Sequence, residues 1–85
     1  NVFTPNKDGV NEGLYVRSPR IASMEFRIYD RWGKQVFKAF DQNTPWLGTD
    51  LQGNNLPAGV YAYFLNAHFN NGKNRIFKGN ITMVK

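Results

Sequence analysis

The sequence contains no cysteine, so disulfide bonds and thiolate metal sites are both excluded. It also contains a single histidine, His68. A zinc or copper site needs two or three further imidazole or thiolate ligands, and the chain has none to offer. A hydrophobic core alone must therefore hold the fold together, and 7 Phe, 4 Tyr and 2 Trp supply much of its apolar area.

Long apolar runs are absent as well. No stretch approaches the roughly 20 residues that span a bilayer, so we expect no membrane insertion by the domain itself. The first residues are polar and rich in turn formers, which is unlike a signal peptide. The chain is 85 residues long and lacks an initiator methionine, so we expect one small domain from a longer protein.

Acidic residues are few, 6 against 11 basic ones, and the net charge is +5. Such an excess of basic residues is typical of proteins that bind nucleic acid, anionic membranes or acidic glycans. Six basic residues surround the first predicted hairpin, near Tyr29 and Trp32: Arg17, Arg20, Arg27, Arg31, Lys34 and Lys38. No nucleic-acid motif accompanies them, so a solvated strand face is favoured and we expect no nucleic-acid partner.

No helical period of useful length is present, whereas strict alternation predicts strands. Met24, Phe26 and Ile28 share one face of a strand over residues 21–29. Further strands are predicted over residues 14–17, 35–39, 60–69 and 76–84. Residues 30–34 and the Asn-Asn-Gly at 70–72 are predicted hairpin turns, the second as a two-residue loop. Residues 41–59 predict a long loop that Trp46 anchors.

These elements predict an all-β fold. The favoured architecture is a small two-sheet antiparallel β-sandwich, immunoglobulin-like, with about six or seven strands.

Catalytic chemistry finds little support. Ser18 and Ser23 lie in no nucleophile elbow, and the acidic residues all fall in predicted turns or on polar strand faces. His68 is predicted at the surface. We therefore expect a non-enzymatic domain with no cofactor, no catalytic residue and no small-molecule substrate.

One loop resembles the first half of a calcium site, because oxygen-bearing side chains alternate before a glycine. The candidates are Asn6, Asp8, Asn11 and Glu12. However, Lys7 adds a positive charge, and Tyr15 stands where such a loop needs its bidentate glutamate. Turns in which the Asn and Asp side chains bond their own backbone are favoured, and we expect no metal.

Five blocks in order carry a resemblance to a known family. They are residues 3–12 (FTPNKDGVNE), 28–37 (IYDRWGKQVF), 46–49 (WLGT), 56–63 (LPAGVYAY) and 79–82 (GNIT). Together they resemble the gliding-motility-associated C-terminal domain, the type B sorting domain of the type IX secretion system of Bacteroidota. Lys7, Glu12 and Leu47 depart from the family's usual Gly, Asp and Asp, which weakens any metal role.

The resemblance implies a secretion signal. Residues 1–85 would be a single type B C-terminal sorting domain that ends a longer secreted or surface protein, typically an adhesin or enzyme. Its passenger would reach the periplasm and then cross the outer membrane to the cell surface or medium. The implied partner is the type IX secretion machinery, through an outer-membrane barrel of the PorP/SprF family.

A sorting signal must present recognisable loops on a rigid scaffold. We predict recognition by the loop at 5–12, the turn at 30–34 and the final strand, which strand addition would read if it lies at an edge. The candidate residues are Pro5, Asn6, Lys7, Asp8, Gly9, Asn11, Asp30, Arg31, Trp32, Gly33, Lys34, Lys78 and Lys85.

For Trp32, Trp46, Tyr61 and Tyr63, packing in the core is favoured over recognition. The alternative function is an adhesive or carbohydrate-binding β-sandwich, which predicts an exposed Trp32 or Tyr29 on a flat face. Nucleic-acid binding through the basic hairpin is a further alternative, with affinity that falls steeply as salt rises.

Overall fold

The alternating segments of the sequence form the strands of a single sheet. The computed structural model describes the backbone of residues 2–3, then Leu14, Val16 and residues 20–84. Its strands are β1 (Val2–Phe3), β2 (Ile21–Tyr29), β3 (Gln35–Ala39), β4 (Gly59–Phe69) and β5 (Asn74–Met83). No helix occurs in these ranges, so the all-β prediction is confirmed for the part of the chain that the structure describes.

The sheet has the strand order β1-β5-β4-β2-β3. The four longer strands pair antiparallel, while β1 pairs parallel with β5, Val2 opposite Thr82 and Phe3 opposite Met83. β4 therefore lies in the middle of the sheet, and its first residues sit beside the last residues of β2.

One face of the sheet, here called the core face, buries the apolar positions that alternation predicts. Met24, Phe26 and Ile28 of β2 are buried there, together with residues from β3, β4 and β5. The edge of the Phe26 ring meets the Phe37 ring, with centroids 6.0 Å apart. The opposite, open face carries Arg27, whose guanidinium bonds Glu25 and Gln35.

The long loop between β3 and β4 covers the core face. Trp46 is fully buried, and its Nε1 donates to the carbonyl oxygen of Thr49 at 3.0 Å. The backbones of Trp46 and Leu14 form an isolated antiparallel β-bridge, in which each N–H donates to the carbonyl oxygen of the other residue. The predicted anchoring role of Trp46 is confirmed. The strands of the described residues form one sheet, and Leu14 and Val16, which lie outside these strands, pack against the core cluster.

A β-bulge explains the burial pattern of β3. Tyr29 pairs with Gln35 and Ile28 with Phe37, so Val36 is the extra residue on this strand. Val36 is buried, and its neighbour Phe37 also packs on the core cluster. The bulge thereby brings two consecutive side chains to the core, which strict alternation does not predict.

The β4–β5 connection differs from its prediction. Phe69 N donates to Lys73 O and Gly72 N donates to Phe69 O, so the loop is longer than two residues. Gly72 has a φ of 84°, whereas Asn70 and Asn71 have no positive φ. A two-residue loop with left-handed residues at both positions was therefore the wrong prediction, although the hairpin itself is confirmed.

Candidate partner-recognition site

The connection between β2 and β3, residues 30–34, is a rigid turn that we call the Trp32 turn. Asp30 N donates to Lys34 O at 2.9 Å, and Gly33 N donates to Asp30 O at 3.0 Å. The Asp30 carboxylate accepts from the backbone N–H of Trp32 and of Lys34, both at 2.9 Å. Gly33 has a φ of 82°, which only glycine adopts at low cost. Local sequence thus fixes the backbone at this tip.

The same turn occurs at residues 50–54, here called the Asp50 turn. Asp50 N donates to Asn54 O, Gly53 N donates to Asp50 O, and the carboxylate accepts from Gln52 N and Asn54 N. Gly53 also has a positive φ, 86°. These backbone bonds to Asp50 lower the pKa of its carboxyl group, since they stabilise the charged form. The two turns share a backbone but differ at their tips.

The tip of the Trp32 turn presents an aromatic ring to solvent. Trp32 is 77% exposed, and the guanidinium of Arg31 lies over its ring, with Cζ 4.7 Å from the ring centroid. The favoured interpretation of Trp32 as a core residue was wrong. At the equivalent position the Asp50 turn carries Gln52, so the turn geometry does not require an indole.

A groove lies beside this tip, and we call it the Trp32 groove. It encloses about 340 Å³. The register of β2 and β4, with Tyr29 opposite Ala62, brings the start of β4 next to the turn. The groove is lined by Asp30, Arg31, Trp32, Pro57, Ala58, Gly59, Val60 and Tyr61. Its surface is mainly apolar, and Val60 is 55% exposed along it.

Contacts within the core fix the position of Tyr61, which lines the groove. Tyr61 is buried, and its hydroxyl donates to the Pro57 carbonyl oxygen at 2.6 Å. Its ring meets the ring of Trp46 edge-on, with centroids 5.5 Å apart. Burial, reinforced by the charge of Asp30 and opposed by that of Arg31, raises the pKa of the Tyr61 hydroxyl. The prediction of core packing is confirmed for Trp46 and Tyr61, and Tyr63 packs against the same core.

The remaining predicted candidates lie elsewhere or outside the described residues. Lys78 lies on the open face, where its Nζ is 6.0 Å from the Phe64 ring centroid, and it does not line the groove. Seven candidates and the calcium loop fall outside the described residues: Pro5, Asn6, Lys7, Asp8, Gly9, Asn11 and Lys85, with Glu12. Asp30, Arg31 and Trp32 are the predicted residues that the fold gathers at one site.

Sequence reasoning missed the other wall of the groove. Pro57, Ala58 and Val60 were not candidates, although they lie within the fourth block of the resemblance. Their presence in a block shared with a family was the available signal. Their proximity to residue 30 follows from strand pairing, which local sequence does not report.

Within the described ranges, no three His, Cys, Asp or Glu side chains cluster as a metal site would require. His68 is exposed, as predicted. In that same part of the chain, no helix is long and apolar enough to cross a membrane. The part of the chain that the structure describes is thus an all-β scaffold with an apolar groove, lined in part by Trp32, beside a rigid turn.

The comparison with protein families identifies the domain more closely. The family model of the CHU_C type IX secretion signal domain matches residues 1–83, and the chain belongs to this family. Comparison with curated proteins gives no significant match. The chain is accordingly a sorting signal for type IX secretion. That function implies interaction with the secretion machinery and export to the cell surface or medium.

Proposed function

We propose that the chain is a type B sorting domain of the gliding-motility-associated kind, from a Bacteroidota protein, and that it performs no catalysis. It lies at the C-terminus of a passenger that crosses the periplasm, and an outer-membrane barrel of the PorP/SprF family receives it. The observation that carries this proposal is the family match over residues 1–83. The Trp32 groove supports it, because two blocks of the resemblance build that surface together.

The complete fold that we propose is a two-sheet, immunoglobulin-like sandwich of six or seven strands. Two isolated bridges support a second layer, Leu14 with Trp46 and Thr49 with Asn55. Leu14 and Val16 also pack against the core cluster from outside the sheet. Leu14 and Val16 would then belong to that second layer over the core face.

The recognition surfaces that we propose are the loop at 5–12, the Trp32 turn and the final strand. β1 already pairs with the outer edge of β5 at Thr82 and Met83. Strand addition by a partner would therefore use β5 before Thr82, where Lys78 lies. The Trp32 turn can be contacted without strand addition, since its tip is exposed.

Export of a fusion protein tests the proposal. A fluorescent protein directed to the periplasm would carry residues 1–85 at its C-terminus, in a gliding Bacteroidota strain and in its type IX mutant. We expect surface or medium fluorescence in the first strain and periplasmic fluorescence in the second. Deleting individual PorP/SprF barrels should abolish export for one of them. Periplasmic retention in the competent strain, with the fusion folded and the matching barrel supplied, would contradict the proposal.

A carbohydrate-binding module is the second candidate, and the exposure of Trp32 favours it. Sugar sites combine an aromatic face with polar groups that bond hydroxyls. Here the Asp30 carboxylate is engaged by turn amides, and the Tyr61 hydroxyl donates to Pro57. Arg31 and Trp32 carry nitrogen donors, but the four remaining lining residues, Pro57, Ala58, Gly59 and Val60, have no polar side chains. The secretion signal therefore remains the better supported function.

A further inference from the structure

The chain itself provides a comparison that isolates the unusual feature of the Trp32 turn. Both this turn and the Asp50 turn have the pattern Asp-x-x-Gly-x and the same backbone hydrogen bonds. Their two variable tip positions hold Arg31 and Trp32 in one turn and Leu51 and Gln52 in the other. The backbone is thus satisfied without arginine or tryptophan, so folding of the turn does not explain this pair.

The β4–β5 turn, residues 69–73, extends the comparison. It repeats the backbone bonds, from Phe69 N to Lys73 O and from Gly72 N to Phe69 O. Its tip residues are Asn70 and Asn71, and Asn71 Oδ1 accepts from Lys73 N at 3.0 Å. Two turns of this backbone therefore carry polar amides at the position that Trp32 occupies, Gln52 and Asn71.

Arginine and tryptophan are the residue types that most often dominate binding energy at protein interfaces. Trp32 is 77% exposed, and the guanidinium of Arg31 already lies over its ring. Among the described residues, Arg27 and Glu25 form an ion pair, and Arg31 has no carboxylate partner there. The tip combines a large apolar surface with an available positive charge.

The groove next to the tip is suited to one apolar side chain. Its volume is about 340 Å³, and Pro57, Ala58 and Val60 line it together with Trp32. Tyr61 also lines the groove, and its position is fixed by its hydrogen bond to Pro57 and by the Trp46 ring. A partner that fills this space meets a preformed surface, which lowers the entropy cost of binding.

We propose that the Trp32 groove docks an acidic, extended segment of a protein in the secretion machinery. One apolar side chain of that segment enters the groove against Trp32, and a neighbouring carboxylate pairs with the Arg31 guanidinium. The net charge of +5 favours an acidic partner, and the turn carries two cations, Arg31 and Lys34, against one carboxylate, Asp30, which accepts from the turn's own amides. The inference rests on the proposed function, because it names where and by what chemistry the machinery reads this signal.

Variants that copy the Asp50 turn provide the test in cells. Trp32→Gln copies Gln52, and Arg31→Leu copies Leu51, so both preserve a turn that this chain already forms. Arg31→Glu reverses the charge. Leu51→Gln and Lys73→Glu are matched controls, the first at the Asp50 turn and the second at the turn between β4 and β5. All are placed in the fluorescent fusion, and thermal melting of the purified 85-residue chains confirms folding.

We expect Trp32→Gln and Arg31→Glu to reduce export about tenfold or more, as loss of a central anchor residue does at interfaces. Arg31→Leu should reduce it less than Arg31→Glu, since it removes the charge without opposing the partner. Both controls should export within about twofold of the unaltered fusion, because surface changes away from an interface are nearly neutral. Export of folded Trp32→Gln at the unaltered level would overturn the inference and leave the proposed function intact.

A solution measurement tests the chemistry independently of export. The isotope-labelled 85-residue chain is titrated with two end-blocked peptides, Asp-Asp-Leu-Asp-Asp and Lys-Lys-Leu-Lys-Lys. We expect the indole N–H resonance of Trp32 and the amide of Val60 to shift with the acidic peptide alone. The buried indole of Trp46 serves as the internal reference. Equal responses to both peptides, or none, would overturn the assignment of an acidic partner even if export falls.

Two other occupants are outcomes of the same experiments. A Trp32-dependent response to a neutral oligosaccharide such as cellohexaose, without one to the acidic peptide, would replace the inference with sugar binding. A dimer in sedimentation that Trp32→Gln dissociates would assign the groove to a second copy of the chain. If the unaltered fusion is not exported, the proposed function fails, and the peptide titration still decides whether the groove binds acidic segments.

Discussion

Gly79 and Tyr63 face each other across β4 and β5, and the tyrosine ring covers the glycine. A Cβ atom at residue 79 would lie 2.7 Å from Cε2 of Tyr63. Gly79 has no left-handed φ, so the close approach of the ring, and not the backbone conformation, requires glycine here. The centroid of the same ring lies 6.1 Å from that of the Phe26 ring, so this aromatic pair links Tyr63 of β4 to the buried Phe26 of β2.

The first prediction concerns the contact between Gly79 and Tyr63. Gly79→Ala forces the Tyr63 ring away from its position, and we expect a loss of about 1 to 3 kcal/mol in the free energy of unfolding. Urea denaturation measures it. In a Tyr63→Ala background the same substitution should be neutral or slightly stabilising, because alanine is the better strand residue. Equal losses in both backgrounds would contradict the steric explanation.

The second prediction concerns the hydroxyl of Tyr61. Tyr61→Phe removes the hydrogen bond to the Pro57 carbonyl, and we expect a loss of about 1 kcal/mol at neutral pH. The pKa of this phenol is raised above 10.0, so its contribution is complete below pH 10.0 and is lost as the pH rises through the raised pKa. Urea denaturation from pH 7 to 12 should show the advantage of the unaltered chain over Tyr61→Phe disappearing at the alkaline end. A stability difference between the two chains that stays constant over this pH range would refute the prediction.

The third prediction concerns acid and the Asp50 turn. The pKa of Asp50 is lowered below 3.8, so its stabilising contribution is present above that value and is lost as the pH falls through the lowered pKa. Asp50→Asn keeps an oxygen that can accept from Gln52 N and Asn54 N but removes the charge. We expect a lower melting temperature than the unaltered chain at pH 7 and the same melting temperature near pH 2. Melting curves across this range provide the check, and a difference that persists in acid would contradict the role of the charge.

The fourth prediction concerns Arg20, which precedes β2 with a φ of 68°. A side chain in this left-handed region costs about 1 to 2 kcal/mol, whereas glycine adopts it freely but is more flexible when unfolded. Arg20→Gly should therefore raise the free energy of unfolding by up to about 1 kcal/mol. Its carbonyl would still accept from Asn70 N. Arg20→Ala is the control, since it retains the strained Cβ; a gain in stability for alanine equal to that for glycine would show that strain is not the cause.

Strand positions were predictable because they depend on neighbours in sequence. The period of two over residues 21–29 fixes which side chains share a face, and burial of Met24, Phe26 and Ile28 agrees with it. The turn formers of residues 41–59 likewise predict a loop and no helix. The bulge at Val36 was not predictable, since it depends on how Ile28 and Phe37 meet across the hairpin.

The candidate site was half predictable. Asp30, Arg31 and Trp32 lie in a turn whose motif is local, whereas Pro57 and Val60 reach them only through the pairing of β2 with β4. The exposure of Trp32 could not be read from composition, because apolar aromatic residues are buried in most contexts. Its position at the tip of a tight turn, which points side chains outward, overrides that tendency.

The parallel pairing of β1 with β5 has a consequence for the connectivity of the chain. Val2 lies beside Thr82 and Phe3 beside Met83, so the first and last strands share an edge of the sheet. Because the two strands are parallel, a linker long enough to run back from the end of β5 to the start of β1 is needed. With that linker, a new opening at the tip of residues 70–72 would give a circular permutant with every strand pair retained. Recognition at the Trp32 groove depends on a folded surface, so such a permutant would keep the surface while moving it to a different place in the linear order of the polypeptide.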